Sequence, residues 1–488
     1  MTVPYVFGNT PTGQSIPLSQ LDDNFDAVGN SANVSFIQNT LGAVRRTSQS
    51  KMADIVSVKD FGADPTGATD SSAAFTAACA TGQSVFVPKG TYKASFQLRN
   101  NQLIFGEGAR ARSIIVPPVG AAYVISIDPN AYGETSKQHC QIRDLSVENP
   151  ASVANCVGIL FAATDVTEIN DNHRITNVYI NGFKRGVHIT GRYILGYMEN
   201  VEIDTCENAL LVQSDPSNYA FNLNTFVSCR FISSIAEGVR ITGYNTVNTF
   251  ISCNVESNNT ANVVGVAGMY VEDAEGLNLI SPYFETNGPS AVVDPVNPLN
   301  NSIGLYLAGV ICFNLRVLNG WMVQSGTMIA VNVSSGIIGG EISGVRFAPN
   351  APGFDIYVGD KIGGPSIQPL IVDANNYFSG TMSFKTDGAG RTSAVVRQAS
   401  STVYVTSDIP LDLRHVGKIA ANNASPFTLT QLTNLIPGME FWVRNVGAGT
   451  LTISGSFMQG GVASTVTSNT SKLYMVLGFP GVGKLVEV

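Results

Sequence analysis

Apolar positions in this chain alternate in short runs, and the runs come back. The phrase "TFVSCRF" spans residues 225–231, and "TFISCNV" repeats it 24 residues later at 249–255. Between such phrases lies a second cassette, a small residue followed by alternating positions: "GVHIT" from Gly186, "ALLVQ" from Ala209, "GVRIT" from Gly238, "GMYVE" from Gly268, "GLYLA" from Gly304 and "AVNVS" from Ala330. An earlier copy, "GILFA", starts at Gly158, and the steps between cassettes run from 23 to 36 residues. Further strand phrases precede them, "TNVYING" from Thr176, "ENVEIDT" from Glu199 and "LISPYFETN" from Leu279. Alternation with period two is the mark of a strand. Recurrence every 20 to 50 or so residues is the mark of a solenoid. Unequal steps fit, because a coil takes up extra residues in its loops and keeps its strands in register. The pattern predicts stacked coils whose strands form long parallel sheets.

Strand parity then assigns faces. With Val227, Cys229 and Phe231 inward, Phe226, Ser228 and Arg230 face out. Aligning the phrases predicts an outward column Tyr179, Glu202, Arg230, Asn254, Tyr283 and beside it a second, Asn181, Asp204, Ile232, Glu256, Glu285. The cassettes predict a third, His188, Leu211, Arg240, Tyr270, Tyr306.

The ends read differently. In "IPLSQLDDNFDAV" Ser19 is placed to cap a helix with Asp22 and Asp23 in its first turn and Leu21, Phe25 and Val28 on one face. One short amphipathic helix cannot bury that face alone, so residues 1–52 are expected to dock on a partner. From Ile55 the chain offers a turn at "DPTG", a small-residue helix capped by Asp70 and running through Ala80, and strands either side of "PKG". A helix there would close the open end of the first coil. Coils are expected over 53–365 and a strand-rich connector over 366–414. Residues 415–488, with close-set strands such as "GMEFWVRNVGAGTLTISG", are expected to form a small antiparallel sandwich.

Composition agrees. Charged residues make up 13% of the chain and glycine contributes 48 positions, a balance that suits stacked strands and turns. The net charge of −8 without a basic run argues against nucleic acid and anionic membranes. No apolar run is long enough for a membrane helix, and "MTVPYVFGNTPTGQ" lacks the features of a secretory leader. The chain is therefore expected to be soluble. Its seven cysteines show no C-x-x-C spacing; Cys229 and Cys253, at one place in the repeat, read as small core residues, reduced in a cytosol. The four histidines do not cluster near them in sequence, so no metal site is expected.

The string "VSVKDFGADPTGATDSSAAFTAAC" followed by "VFVPKGTY" resembles the start of the pectate-lyase-like right-handed parallel β-helix of bacteriophage tailspikes and tail-associated polysaccharide depolymerases. "GQSIPLSQLDDNFDAV" is similar to short N-terminal segments of phage tail proteins, and the C-terminal block looks like tailspike C-terminal domains. The resemblance covers most of residues 1 to 365. It implies an all-β chain: a right-handed parallel β-helix with a short N-terminal helical segment and a C-terminal antiparallel β-sandwich. It further implies a homotrimer, with glycan contact at the C-terminal domain in some members. The N-terminal segment would dock on a phage tail or baseplate protein, and the body would act on a bacterial surface polysaccharide. Synthesis in the host cytoplasm would be followed by residence in the virion, with no cofactor.

Glycoside hydrolysis needs two carboxyls about 5 to 5.5 Å apart for retention or about 6.5 to 9.5 Å for inversion. Glu256 and Glu285 are one rung apart and Asp204 two rungs before, so a ladder of about 4.8 Å supplies either. These three are the candidate catalytic residues. Tyr270, Tyr306 and Trp321 suit stacking on sugar rings, and Arg230 or Arg240 suits an acidic sugar; together they are expected to line one groove. Outward carboxylates also serve solubility, and outward tyrosines suit strands. Two other functions use the same scaffold: a lyase acting by β-elimination on a uronic-acid polymer, with an Arg, Tyr or His base, and a non-enzymatic adhesin.

Overall fold

A computed structural model describes residues 34–488 apart from 129–131, 133–136, 164–168, 215–220, 289–293, 295–296, 335, 351–352, 360–369, 374–375, 378–380, 385–393, 398–401, 406–407, 409–410, 413–417, 423, 431, 434–438, 460 and 480–481. The helix expected from Ser19 lies outside the described residues.

The chain is a parallel β-helix. Its cassettes stack into one wall of 11 parallel strands among the described residues, from Phe96–Gln97 through Arg185–Thr190, Asn208–Gln213, Val239–Thr242, Ala267–Glu272 and Ile303–Ala308 to Thr381–Phe384. Two of the glycines that open cassettes lie inside strands, where other side chains fill the space a side chain would need: a Cβ on Gly186 would lie 2.3 Å from Ile203 Cγ2, and one on Gly268 would lie 2.4 Å from Asn287 Cγ.

The repeated phrase forms two walls. Thr225–Val227 pairs in parallel with Thr249–Ile251, and Arg230–Ile232 with Asn254–Glu256. Between them Ser228 and Ser252 both take left-handed backbone with φ 51°. The same corner holds Asn177, Asn200, Ser281 and Asn319, all with positive φ, residue types whose short polar side chains suit this conformation. The corner overturns the expected parity. Phe226 and Phe250 point into the core, where their rings stack at 4.3 Å, and Val227 and Ile251 are the half-exposed ones. Cys229 and Phe231 are buried as expected. A left-handed residue inserts a turn in mid-phrase, so alternation counted across Ser228 slips by one. All seven cysteines are buried and free.

The helix Ser72–Ala80 covers the first coil, burying Ala74, Phe75, Ala78 and Cys79, with the Phe75 ring 4.8 Å from that of Phe96. Its N-cap is Ser71, one residue later than expected, and Asp70 instead accepts from the Ser72 N–H at 2.9 Å. Asp64 in the preceding turn accepts from the backbone N–H groups of Thr66 and Thr69 and from both hydroxyls. Those bonds hold its carboxyl well below the usual carboxylate range.

Parallel pairing continues past Pro365: Leu370–Asp373 pairs with Ala394–Arg397, and Val396 pairs with Met439. Met439–Asn445 then pairs in antiparallel fashion with Ser471–Phe479, which pairs with Val482–Glu487. A second sheet, Phe427–Leu429, Leu451–Ile453 and Ser464–Val466, shares its core: Phe441, Val443 and Tyr474 lie in one cluster with Leu429, Leu451 and Val466. Pairing here is mixed, because Lys418–Ala421 and Phe427–Leu429 still run parallel to their neighbours.

Candidate functional site

The wall that follows the serine corner consists of three-residue strands: Glu202–Asp204, Arg230–Ile232, Asn254–Glu256, Tyr283–Glu285, Trp321–Val323 and Arg346–Ala348. The middle residue of each, Ile203, Phe231, Val255, Phe284, Met322 or Phe347, is buried. A three-residue strand with a buried centre turns its outer two side chains away from the core, and this wall therefore displays two columns, in which Val323 alone of these outer residues is buried.

The register of both columns is as expected. Tyr179 pairs with Glu202, Glu202 with Arg230, Arg230 with Asn254, and Asn254 with Tyr283. The column extends further, Tyr283 to Trp321, Trp321 to Arg346, and Arg346 to Tyr377. In the other column Asn181 pairs with Asp204, Asp204 with Ile232, Ile232 with Glu256, and Glu256 with Glu285. Glu256 and Glu285 are thus neighbours on one face, and Ile232 separates Asp204 from them.

Each carboxylate of the pair is held by the adjoining column. Asn254 Nδ2 donates to Glu256 Oε2 at 2.9 Å, and the Tyr283 hydroxyl donates to Glu285 Oε2. That bond, with burial and the charges of Glu285 and Glu256 adding to it, pushes the Tyr283 phenol up to about 12. Tyr283 is therefore a protonated donor across the physiological range. Asp204 Oδ1 accepts from the neighbouring Thr205 hydroxyl at 2.8 Å.

The two flanks of the pair differ. On one side Glu202 binds both Arg110 and Arg230, the latter at 3.0 Å, and the Arg110 guanidinium lies 4.1 Å from the centre of the Tyr179 ring. Arg230 is thus already engaged by a carboxylate. On the other side the Arg346 guanidinium lies 4.6 Å from the Trp321 ring centre and 5.5 Å from that of Tyr377. Trp321 and Tyr377 are 45% and 55% exposed.

Arg240, Tyr270 and Tyr306 occupy a different wall, that of the cassettes. They align as expected, Leu211 to Arg240, Arg240 to Tyr270, and Tyr270 to Tyr306. The expectation that they join Arg230 and Trp321 in one groove is corrected, because the corner at 233–238 separates the two walls. Their side chains are also taken up locally. Arg240 donates to Glu237 at 2.6 Å and lies 4.5 Å from the Tyr270 ring centre, Tyr270 donates to Glu272 at 2.8 Å, and the two tyrosine rings meet edge to face at 5.4 Å. Tyr270 and Tyr306 pack, with Leu299 of the turn Pro298–Asn300, against a buried cluster of Ala267, Ile303, Ala330 and Tyr357. His188 is nearly buried beside Gln213, and burial lowers its pKa. Among the described residues no group of three His, Cys, Asp or Glu side chains is arranged to hold a metal.

Sequence reasoning missed Arg346 and Tyr377. A signal was present: "VRFA" at 345–348 repeats "CRFI" at 229–232, the second half of the opening phrase.

Residues 55–255 match the family model described as rhamnogalacturonase A/epimerase, pectate lyase-like. Among solved structures, the chain is similar to a tailspike protein mutant of Escherichia coli bacteriophage HK620, at 13% identity over 97% of this chain and 98% of that one, with a TM-score of 0.48. The enzymatically active domain of bacteriophage CBA120 tailspike protein 2 aligns at 13% identity over 92% of this chain and 63% of that one, with a TM-score of 0.45. The A-module of an Azotobacter vinelandii mannuronan C-5 epimerase aligns at 13% identity over 68% of this chain and 96% of that one, with a TM-score of 0.43. No curated protein matches the chain.

Proposed function

We propose that this chain is a phage tailspike that depolymerises a bacterial surface polysaccharide by endo-glycosidic hydrolysis. The observation that carries the reading is the pairing of Glu256 with Glu285 on an open face, each held by a neutral donor from the adjoining column. The pectate-lyase-like match over 55–255 supports a carbohydrate-active β-helix. One carboxyl of the pair, protonated, gives its proton to the glycosidic oxygen. The other, ionised, attacks the anomeric carbon or takes a proton from the attacking water. Neighbouring strands lie about 4.8 Å apart, closer to the separation used in retention, so the first product is expected to keep its anomeric configuration. An inverted product would point to Asp204 acting with Glu256 across Ile232.

Within this reading Tyr283 is ill suited to be the base of a β-elimination, because its hydrogen bond to Glu285 pushes its phenol up to about 12. In the same proposal residues 1–52 attach the protein to a tail or baseplate protein, 53–365 carry the catalytic coil, 366–414 connect, and 415–488 stabilise a homotrimer in the virion. The test is a screen of capsular, exopolysaccharide and O-antigen preparations for release of reducing ends. Reducing ends without the ultraviolet absorbance of an unsaturated uronate support hydrolysis. Unsaturated product replaces it with lyase chemistry, and tight glycan binding without cleavage replaces it with an adhesin.

A further inference from the structure

Four cations lie close to the outward columns, and three of them have carboxylate partners. Arg110 and Arg230 share Glu202, while on the cassette wall Arg240 is held by Glu237. Arg346 differs. Among the described residues it has no ion pair, and its contacts are two aromatic faces, Trp321 and Tyr377. All three side chains are exposed, in consecutive rungs of one column.

We propose that Trp321, Arg346 and Tyr377 form a subsite for a carboxylate-bearing sugar, one or two residues along the glycan from the bond cleaved at Glu256 and Glu285. A guanidinium stacked on aromatic faces has its flat sides occupied and its N–H edge free. That edge matches a carboxylate in bidentate geometry, and the stacking fixes its orientation in advance. The exposed parts of the indole and phenol rings offer the apolar surface that the C–H face of a pyranose covers. Tyr283 pairs with Trp321 in the same column, so Arg346 stands two rungs from Glu285, roughly 10 Å. A pair of sugar residues spans that distance. The negative carboxylates lie at one end of the stripe, and Arg346, without an ion pair among the described residues, lies at the other, which orders an acidic repeat unit: its charge on Arg346 and its neutral part across the catalytic pair. An acidic sugar placed over Glu256 and Glu285 would instead meet the like charge of the ionised member of the pair.

This subsite rests on the reading of the wall as a polysaccharide-cleaving surface, but its test does not. The chain has two tryptophans, Trp321 and Trp442, so a Trp442→Phe variant of the full chain leaves Trp321 as the only indole reporter. The probes are sodium glucuronate and galacturonate, with glucose, galactose, sodium acetate and sodium chloride at matched ionic strength. Expected is a saturable change in Trp321 fluorescence with the uronates, about tenfold weaker with the neutral sugars and with acetate. Arg346→Gln, made on the same background, should weaken the uronate response by about tenfold and leave the response to neutral sugars unchanged. Circular dichroism and the thermal midpoint check that both variants are folded. Equal responses to uronates and neutral sugars, no response beyond that to salt, or an Arg346→Gln variant that binds uronate as well as its parent would each overturn the proposal. Failure here together with loss of cleavage in Glu256→Gln leaves the hydrolase standing on a neutral polymer. Uronate binding together with full activity in the glutamate variants leaves the subsite standing and removes the catalytic assignment.

Discussion

Replacing Phe226 and Val227 in turn by alanine tests the serine corner directly, because the two registers give opposite rankings. Phe226 is 1% exposed and its ring stacks on Phe250 at 4.3 Å with the planes 6° apart, with Phe231 edge-on at 6.3 Å. Removing a buried phenyl group from a packed core costs about 3 to 5 kcal/mol, part of it for the cavity left behind. Val227 is half-buried and faces outward. Deleting two methyl groups there costs about 1.6 kcal/mol at full burial and therefore about 0.8 kcal/mol at half. Unfolding in guanidinium, followed by intrinsic fluorescence at a fixed denaturant concentration, gives the comparison without requiring reversibility. If the loss appears mainly in the unfolding rate, Phe226→Ala unfolds on the order of 150-fold faster than the parent and Val227→Ala about fourfold faster. The double variant Phe226→Ala with Phe250→Ala should show a coupling of about 0.5 to 1.5 kcal/mol. A chain in which Val227→Ala unfolds faster than Phe226→Ala would refute the corner and restore unbroken alternation through Ser228.

Tyr283→Phe removes the donor to Glu285; a hydrogen bond to a charged group is worth about 1.5 to 3 kcal/mol, less where water can replace it, so turnover on a confirmed substrate should fall about tenfold with the thermal midpoint unchanged. At alkaline pH the folded chain should lose stability, because Tyr92, Tyr283 and Tyr474 are each pushed up to about 12. Unfolded tyrosines titrate near 10 or so, so the folded state holds protons that the unfolded state has released, and the contribution is complete below pH 10 or so and lost as pH rises toward 12 or so; a tyrosinate absorbance titration should show these phenols ionising late, and denaturation midpoints should fall over that window. Light scattering of the full-length protein should return three times the mass of one chain, and a monomer mass would remove the trimer from the proposal.

Much of the coil was legible in the sequence because its signal is redundant. Every rung writes the same small residue and the same alternation, so the pairing of Glu256 with Glu285 followed from counting between copies of one phrase. Counting within a phrase failed at Ser228, since nothing in the alternation marks a residue with positive φ; the serine or asparagine recurring at that place in successive rungs, Asn200, Ser228, Ser252, Ser281 and Asn319, was the available clue. The groove was misjudged for a related reason. Columns read from sequence carry no information about which wall they stand on, so Tyr270 and Tyr306 were joined to Trp321 although a corner divides them. Nor does sequence show which charges are already paired. Arg230 meets Glu202 along a column, but Arg110 reaches the same carboxylate from 92 positions away, a contact that no periodicity predicts. Glu237 illustrates the converse: it lies just before a strand in the sequence, a place where an acidic residue is commonly solvated, yet it is 6% exposed and bonded to Asn208 and Arg240.

The measurement that bears most directly on the proposed function is the turnover of Glu256→Gln and Glu285→Gln on whichever polysaccharide the parent cleaves, with Glu199→Gln, which pairs with Val227 on the neighbouring wall, as the control. Each column variant is expected to lose on the order of 10² to 10⁴ in rate, as for a missing general acid or base, while binding uncleaved polymer and keeping the parent's mass and thermal midpoint; Glu199→Gln should cleave at the parent's rate. Wild-type turnover in both column variants would contradict the account and move the chemistry off this wall.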